Sequence, residues 1–430
     1  MASPRSAQIR ARLEHKKRIA PLFDPSISLA TQRAELDKSG KRAVPLLGQQ
    51  IEPISAGGIP GEWVKVGAQT SSRQVLLYIH GGAFVAGSCL SSRSVAARLA
   101  EASELPVLAL DYRLAPEHSF PAAVEDVIVA YRWLLASGVQ AHEIALAGDS
   151  AGGNLALAAL LSLRDVGESL PAAVVLLSPW IDLTETSASR STHAEADPYL
   201  TPQFMRVAAR QYLGEIDPRT SPASPLFGEL ADLPPLLIQV GTDEIFLDDS
   251  LLLARRMQEA GGAVTLEIWE GMWHVWHYFA ALIPEGQQSF DQIGEFVRTQ
   301  LDRAREAQRG REPTESDYFR QLQQRAKQLR RRYIEPSMAD VLELPRKLRD
   351  LFHWLMQQGE TELAQVAAHL NQDAVTTRTQ LSNLIVRGFV QEREGEDEGL
   401  LHYRVRMRAR RGRLVSDELR QSLGSEIPES

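Results

Sequence analysis

Residues 146–157 read LAGDSAGGNLAL. A small apolar run reaches Ser150, flanked by Gly148 and Gly152, and leaves as an Ala/Leu-rich stretch. The segment before the serine, EIALAG (143–148), has the short apolar run of a buried strand. The segment after it, AGGNLALAALLSLRD (151–165), has the length and composition of a helix. Ser150 therefore sits where a strand bends sharply into a helix. Small neighbours are what such a bend needs, because the hydroxyl must stand clear of its own backbone. A hydroxyl held there is open to a base that can take its proton. The following helix aims its first amides, beginning with Ala151, at negative charge forming beside the serine.

The same alternation extends on both sides. GEWVKVG (61–67), QVLLYIHGG (74–82), PVLALDY (106–112), PAAVVLLSPW (171–180), PPLLIQVGTDE (234–244) and VTLEIWEG (264–271) read as strands. SSRSVAARLAEASEL (91–105), AAVEDVIVAYRWLLASG (122–138, closed by Gly138) and SLLLARRMQEAGG (250–262) read as helices between them. Strands alternating with helices predict an α/β fold with a mostly parallel sheet covered on both faces. The pattern ends near residue 303. Residues 304–345 are charged and Gln-rich and read as a helical linker. Beyond them RKLRDLFHWLMQQG (346–359), TELAQVAAHL (361–370) and DAVTTRTQLSNLIVRG (373–388, closed by Gly388) read as three helices. FVQERE (389–394) and LLHYRVR (400–406) read as a hairpin about GEDEG. Three helices and a hairpin predict a winged helix-turn-helix over 346–415, followed by a tail, 416–430.

Composition narrows the function classes. An apolar fraction of 44% over 430 residues is globular and supports more than one core. Residues 1–300 carry 24 Lys/Arg against 34 Asp/Glu, and residues 301–430 carry 23 against 21, so neither half is a strong polyanion binder. Cys89 is the single cysteine, which excludes an intrachain disulfide. The N-terminal MASPRSAQIRARLEHKKRIAPLF has no apolar leader core, and no stretch approaches a membrane span, so a cytoplasmic protein is expected. No His/Cys/Asp set has metal-site spacing and no Gly-rich phosphate loop appears, so neither metal nor cofactor is expected.

A second motif, YIHGGAF (78–84), ends a strand in a histidine and two glycines. It places the amides of Gly81 and Gly82 where, with Ala151, they can form a three-donor oxyanion hole. His80 is expected to hold that loop.

HGGAF (80–84), DYRLAPEHSFPAAVED (111–126), GDSAGGNLAL (148–157) and GMWHVW (271–276) together resemble the bacterial hormone-sensitive-lipase-like carboxylesterases of the α/β-hydrolase fold. The resemblance spans roughly residues 25–300. It implies an eight-stranded, mostly parallel sheet over 51–303. It also implies a helical cap, built from the N-terminal segment 1–50 and from an insertion after LLSPW, about 181–215. Ala83 stands where many members have glycine. The match of GMWH to the family's histidine loop makes His274 the base. His277 is then a packing residue behind it, and His193 belongs to the cap.

The acid should precede the histidine in chain order. QVGTDEIFLDDS offers Asp243 and Glu244 just past a strand end. Alignment of the family pattern on LDDS selects Glu244, and alignment on Gly241 selects Asp243; Glu244 is preferred and Asp243 is the alternative. Asp248 and Asp249 read as solvated or helix N-terminal charges. Arg113, Glu117 and Asp126 read as structural ion pairs. Trp180, Tyr199 and Phe204 read as acyl-pocket walls or cap core.

The resemblance implies a serine carboxylesterase acting on small-molecule esters of short to medium chain through an acyl-enzyme. The alternative is a ligand-sensing hydrolase-fold module coupled to the winged helix; the presence of His274 favours the enzyme. In the C-terminal segment, Arg378, Gln380 and Asn383 would be the base-reading residues of a DNA-binding helix. The acidic wing EREGEDE opposes phosphate, so contact with a protein partner or self-association is preferred to DNA.

Overall fold

The computed structural model describes residues 2–19, 23–67, 73–309, 341–342, 344–386, 389–394 and 401–405. The chain divides into two compact units, Met1–Arg311 and Glu312–Ser430.

In the first unit, β1 (Gln49–Ala56) and β2 (Ile59–Val66) form an antiparallel hairpin. β2 runs antiparallel to β4 (Val107–Leu110). From there β3 (Val75–Ile79), β5 (Ile144–Asp149), β6 (Ala173–Leu177), β7 (Leu236–Gly241) and β8 (Val264–Trp269) continue in parallel. The eight described strands lie in the order β1-β2-β4-β3-β5-β6-β7-β8. Every residue of β3 to β7 is buried, which is why these strands read as unbroken apolar runs rather than alternating ones.

Alternate residues serve opposite faces. Leu77, Ile79, Leu146 and Leu176 pack under α4 (Ala122–Ala136), α5 (Ala151–Asp165) and α8 (Leu247–Glu259). Leu76, Tyr78, Ala147 and Val175 pack under α3 (Cys89–Ser103) and α9 (Pro284–Arg309). Helix α9 continues to Arg309, past the end near 303 that the sequence pattern gave. The remaining helices are α1 (Pro4–Ile19) and α2 (Leu29–Arg42) at the N-terminus, and α6 (Ser189–Thr192) and α7 (Pro202–Leu213) after β6. Among the described residues no helix is long and apolar enough to cross a membrane.

One charge reading needs correction in part. Asp249 is not solvated: it is fully buried, 3.0 Å from the buried Arg190 guanidinium, and it accepts the Ser187 hydroxyl at 2.5 Å. Arg190 in turn lies over the Phe246 ring, 4.6 Å from its centroid. Asp249 does lie in the first turn of α8, as the other half of the reading had it, but the cation that seals it comes from a segment 59 residues away. Arg113, Glu117 and Asp126 all form ion pairs as expected, Arg113 with Asp126 at 2.7 Å and Glu117 with Arg33 of α2 at 2.7 Å.

The second unit has its own small core. α10 (Arg346–Gln358), α11 (Leu363–Leu370) and α12 (Ala374–Val386) enclose Leu351, Phe352, Val366, Leu381 and Leu384. β10 (Val390–Glu394) and β11 (Leu401–Val405) pair antiparallel, as the hairpin reading required. A third strand, β9 (Glu360–Glu362), adds to β11; three polar residues carry no periodicity by which a sequence could announce them. Arg378 is exposed, and Gln380 donates to Gln372 at 3.0 Å. The side chain of Asn383, Gly388, the wing residues 395–400, most of the linker (310–340 and 343) and residues 406–430 lie outside the described residues.

His277 packs as expected, buried against Trp276 and Phe290. Its Nε2 lies 2.8 Å from Gln239 Oε1, which requires Nε2–H to donate. Burial first, then the neighbouring His274, pushes its pKa down to about 3. Unfolding returns it to about 6.5, so between those values the unfolded chain holds a proton that the folded chain excludes. Stability from this group is complete above pH 6.5 and is lost as pH falls toward 3, at up to ~1.4 kcal/mol per pH unit. His277→Gln removes this slope. Urea midpoints of the first unit from pH 7 to 4 should fall more steeply for the wild type than for the variant, and equal slopes would place the proton elsewhere.

Candidate active site

The backbone at Ser150 has φ 53 and ψ −119, a conformation costly for a non-glycine residue. It holds because both sides of the bend are crowded. A Cβ on Gly148 would stand 2.3 Å from the Gly152 carbonyl oxygen, and one on Gly152 would stand 2.0 Å from the Ile79 carbonyl oxygen. The glycines therefore allow the start of α5 to lie directly against the end of β3. Ser150 N–H donates to Leu177 O of β6 at 2.8 Å, which ties the bend to the next strand as well.

His274 lies in the loop after β8. That loop is laced to the exit of β7: Asp243 N–H donates to Met272 O at 3.0 Å and Gly271 N–H to Thr242 Oγ1 at 2.8 Å. The His274 ring meets the Phe246 ring edge-on at 5.1 Å. Its Nε2 is 3.0 Å from Ser150 Oγ, and its Nδ1 is 3.1 Å from Glu244 Oε2. The other oxygen of Glu244 accepts the Gly241 amide at 2.6 Å and the Ser178 hydroxyl at 2.9 Å. Glu244 is wholly buried, while Ser150 and His274 keep 5% and 7% exposure, so the serine and the imidazole reach the cavity and the carboxylate does not. Burial raises the Glu244 pKa above the ordinary value, and the bond to His274 leads the contacts that oppose this.

The sequence offered two acids, and the structure brings only Glu244 to His274. Asp243 points instead to Arg10 on α1 and to Thr242. His193 bonds Thr192 in the segment after β6.

One assignment in the glycine loop is corrected. Gly81 N–H donates to Asp149 Oδ1 at 2.8 Å, so it is not free for an incoming oxygen. The amides of Gly82, Ala83 and Ala151 make no hydrogen bond among the described residues. Asp149 also accepts the Tyr78 hydroxyl at 2.6 Å; burial raises its pKa, with the Tyr78 bond the leading opposing contact. His80 fulfils its expected part, with Nδ1 2.6 Å from Gly81 O and its own carbonyl held by Tyr112 at 2.9 Å. Ala83 adopts φ 56, which costs about 1–2 kcal/mol for an L-residue and explains why glycine suits the position.

The sequence reading missed two polar residues. Asp149 is the second residue of the GDSAG run, and its partners lie at 78 and 81. Ser178 joins the acid to the histidine loop, donating to Glu244 while accepting Val275 N–H at 3.1 Å. Both come from β-strand ends whose neighbours only the sheet order reveals.

A cavity of about 410 Å³ opens on Ser150 and His274, with Phe23, Tyr199 and Phe279 among its walls. Of the three aromatics expected at an acyl pocket, Tyr199 lines it, while Trp180 and Phe204 are core. The residue set suits acyl transfer: a hydroxyl, an imidazole bonded to it, a sealed carboxylate behind the imidazole, and free amides nearby.

Comparison with known proteins agrees with this chemistry. Residues 76–278 match the sequence model of a family described by the alpha/beta hydrolase fold. An acetyl-hydrolase of Streptomyces hygroscopicus is 45% identical over 57% of this chain and 82% of its own. An esterase of Acinetobacter venetianus is 39% identical over 59% of this chain and 83% of its own. The crystal structure of an esterase from the bacterial hormone-sensitive lipase family is 42% identical, with a TM-score of 0.66 over 70% of this chain and 99% of that one. A crystal of the esterase EstE5 soaked with p-nitrophenyl butyrate gives 42% and 0.66 over 70% and 100%. The chain belongs to the hormone-sensitive-lipase-like carboxylesterases of the α/β-hydrolase fold and is a carboxylic ester hydrolase.

Proposed function

We propose that the chain hydrolyses short- to medium-chain carboxylic esters through a Ser150–His274–Glu244 triad and an acyl-enzyme. The observation that carries the reading is the continuous chain from Ser150 Oγ to His274 Nε2 at 3.0 Å and from His274 Nδ1 to Glu244 at 3.1 Å. Ser150 Oγ attacks the ester carbonyl as His274 Nε2 takes its proton. Glu244 holds the Nδ1–H tautomer and stabilises the imidazolium that forms. The amides of Gly82, Ala83 and Ala151 receive the oxyanion. His274 then protonates the leaving alkoxide, and a water deprotonated by the same nitrogen releases the acid and restores the serine. The cavity volume and the butyrate ester used with the related EstE5 crystal support a modest acyl chain.

For the second unit we propose a winged-helix fold used for protein contact or self-association rather than nucleic acid. The element order and the single cation, Arg378, on helix α12 support this. Retention of a DNA duplex on a filter at low salt would overturn it.

Two experiments test the triad. Across p-nitrophenyl esters of increasing chain length, the wild type should turn over the shorter members best. Ser150→Ala should abolish turnover throughout, and an organophosphate should label Ser150 alone. Glu244→Gln should lower kcat by roughly 10³–10⁴-fold, while Asp243→Asn should change it by less than about threefold, because its carboxylate faces Arg10. The opposite ranking would move the acid to Asp243.

A further inference from the structure

We infer that the preferred substrates are esters bearing an anionic group, such as a carboxylate, on the part of the molecule that lies toward α1 and α2. The inference rests on the ester-hydrolase site proposed above and adds the charge of what that site takes.

The cavity over Ser150 is lined by two cations, Lys16 of α1 and Arg42 at the end of α2. Both side chains are exposed, which places them on the solvent side of the cavity. Among the described residues that line it the only carboxylate is Asp149, which is buried and already bonded by Tyr78 and Gly81. A site whose chain is net acidic over residues 1–300 thus presents a positive rim.

Several neighbouring cations on the same helices are taken up by the protein. Arg10 binds Glu14 and Asp243, Lys17 donates to the carbonyls of Ala194, Asp197 and Leu200, Arg33 binds Glu117, and Lys38 binds Glu35. The contacts of Arg10 with Asp243, of Lys17 and of Arg33 hold the N-terminal helices to the rest of the unit, while Arg10–Glu14 and Lys38–Glu35 lie within one helix. Lys16 and Arg42 make no ion pair with any described carboxylate. Glu35, near enough to feel both, is taken by Lys38 at 2.8 Å. Gly40 fixes the second cation in place: a Cβ there would stand 2.1 Å from the Leu90 carbonyl oxygen, so glycine lets the end of α2 lie on α3, two residues before Arg42.

Below the rim the walls are apolar, with Leu13, Leu36 and Phe279 among them. Low-dielectric walls focus the field of charges at a mouth. A neutral ester gains nothing from that field, whereas an anion on the outer end of the substrate gains an ion pair that no described carboxylate makes. The cations remain solvated, so the gain is modest and screened by salt.

The test compares matched esters: the mono-p-nitrophenyl ester of adipic acid with p-nitrophenyl hexanoate, and 3-carboxyphenyl butyrate with 3-carbamoylphenyl butyrate. The first pair places the anion on the acyl side and the second on the alcohol side. In at least one pair kcat/KM should favour the anion by roughly three- to tenfold at low ionic strength, and the advantage should shrink in 0.5 M salt. Within the double variant Lys16→Gln/Arg42→Gln the ratio should fall to about one. Reading the ratio within each variant cancels any loss of folded enzyme. Arg255→Gln, a charge change on α8 away from the cavity, should leave the ratio as in the wild type. Ratios of one or below in both pairs, or a ratio that survives the double variant, overturn the inference while neutral esters are still cleaved. Failure to cleave any ester would overturn the triad itself and this inference with it.

Discussion

The active centre depends on one close approach, between the first turn of α5 and the carbonyls that end β3. With a Cβ on Gly152 only 2.0 Å from Ile79 O, no larger residue fits there. That contact brings together two loops 70 residues apart in the chain. One carries the Ser150 hydroxyl and the other carries the amides of Gly82 and Ala83. Asp149, buried beneath the contact, locks the two together by accepting Tyr78 OH and Gly81 N–H. The residue before the serine therefore sets the loop that faces the serine, and one of the two glycines of the loop serves structure instead of substrate.

Three buried carboxylates show how the fold handles charge that catalysis and anchoring require. An isolated buried carboxylate would protonate or destabilise the fold, so each is given specific donors. Glu244 has an amide, a hydroxyl and an imidazole. Asp149 has an amide and a phenol. Asp249 has a guanidinium and a hydroxyl. Only the first set includes an imidazole, the group that would exchange a proton in the proposed mechanism. A buried carboxylate thus serves as imidazole partner, loop lock or ion-pair anchor according to its neighbours.

Much of this was legible in the sequence because it is local. The bend at Ser150 shows in five consecutive residues, and the strand-helix alternation shows the parallel sheet. What was not legible depends on partners distant in the chain. The choice among Gly81, Gly82 and Ala83 is made by Asp149, 66–68 residues on, and a run of small residues cannot disclose which amide is already bonded. The choice between Asp243 and Glu244 is made by a one-residue change of direction past β7, where Arg10 takes one side chain and His274 the other. Asp249 is the helix-end charge its position suggests, but its burial could not be read because Arg190 is supplied from elsewhere.

Backbone strain marks the same place by an independent route. Of the nine non-glycine residues with positive φ among the described residues, five are Ala83, Phe84, Ser150, Ser178 and Val275. They follow the ends of β3, β5, β6 and β8, the rim where the site is built. Such conformations cost about 1–3 kcal/mol each and persist only when neighbours over-determine them. Here the neighbours can be named. Ser150 N–H is held by Leu177 O and Ser178 N–H by Gln239 O, so these two strained residues are tied to the adjacent strand at 2.8 Å. Ser178 Oγ then spans Glu244 and Val275 N–H, joining the acid to the residue after the base. A relaxed backbone at any of these points would let its loop drift against its neighbour. The strain is the consequence of forcing four strand ends to converge on one hydroxyl, and the parallel sheet supplies the hydrogen bonds that make the convergence hold.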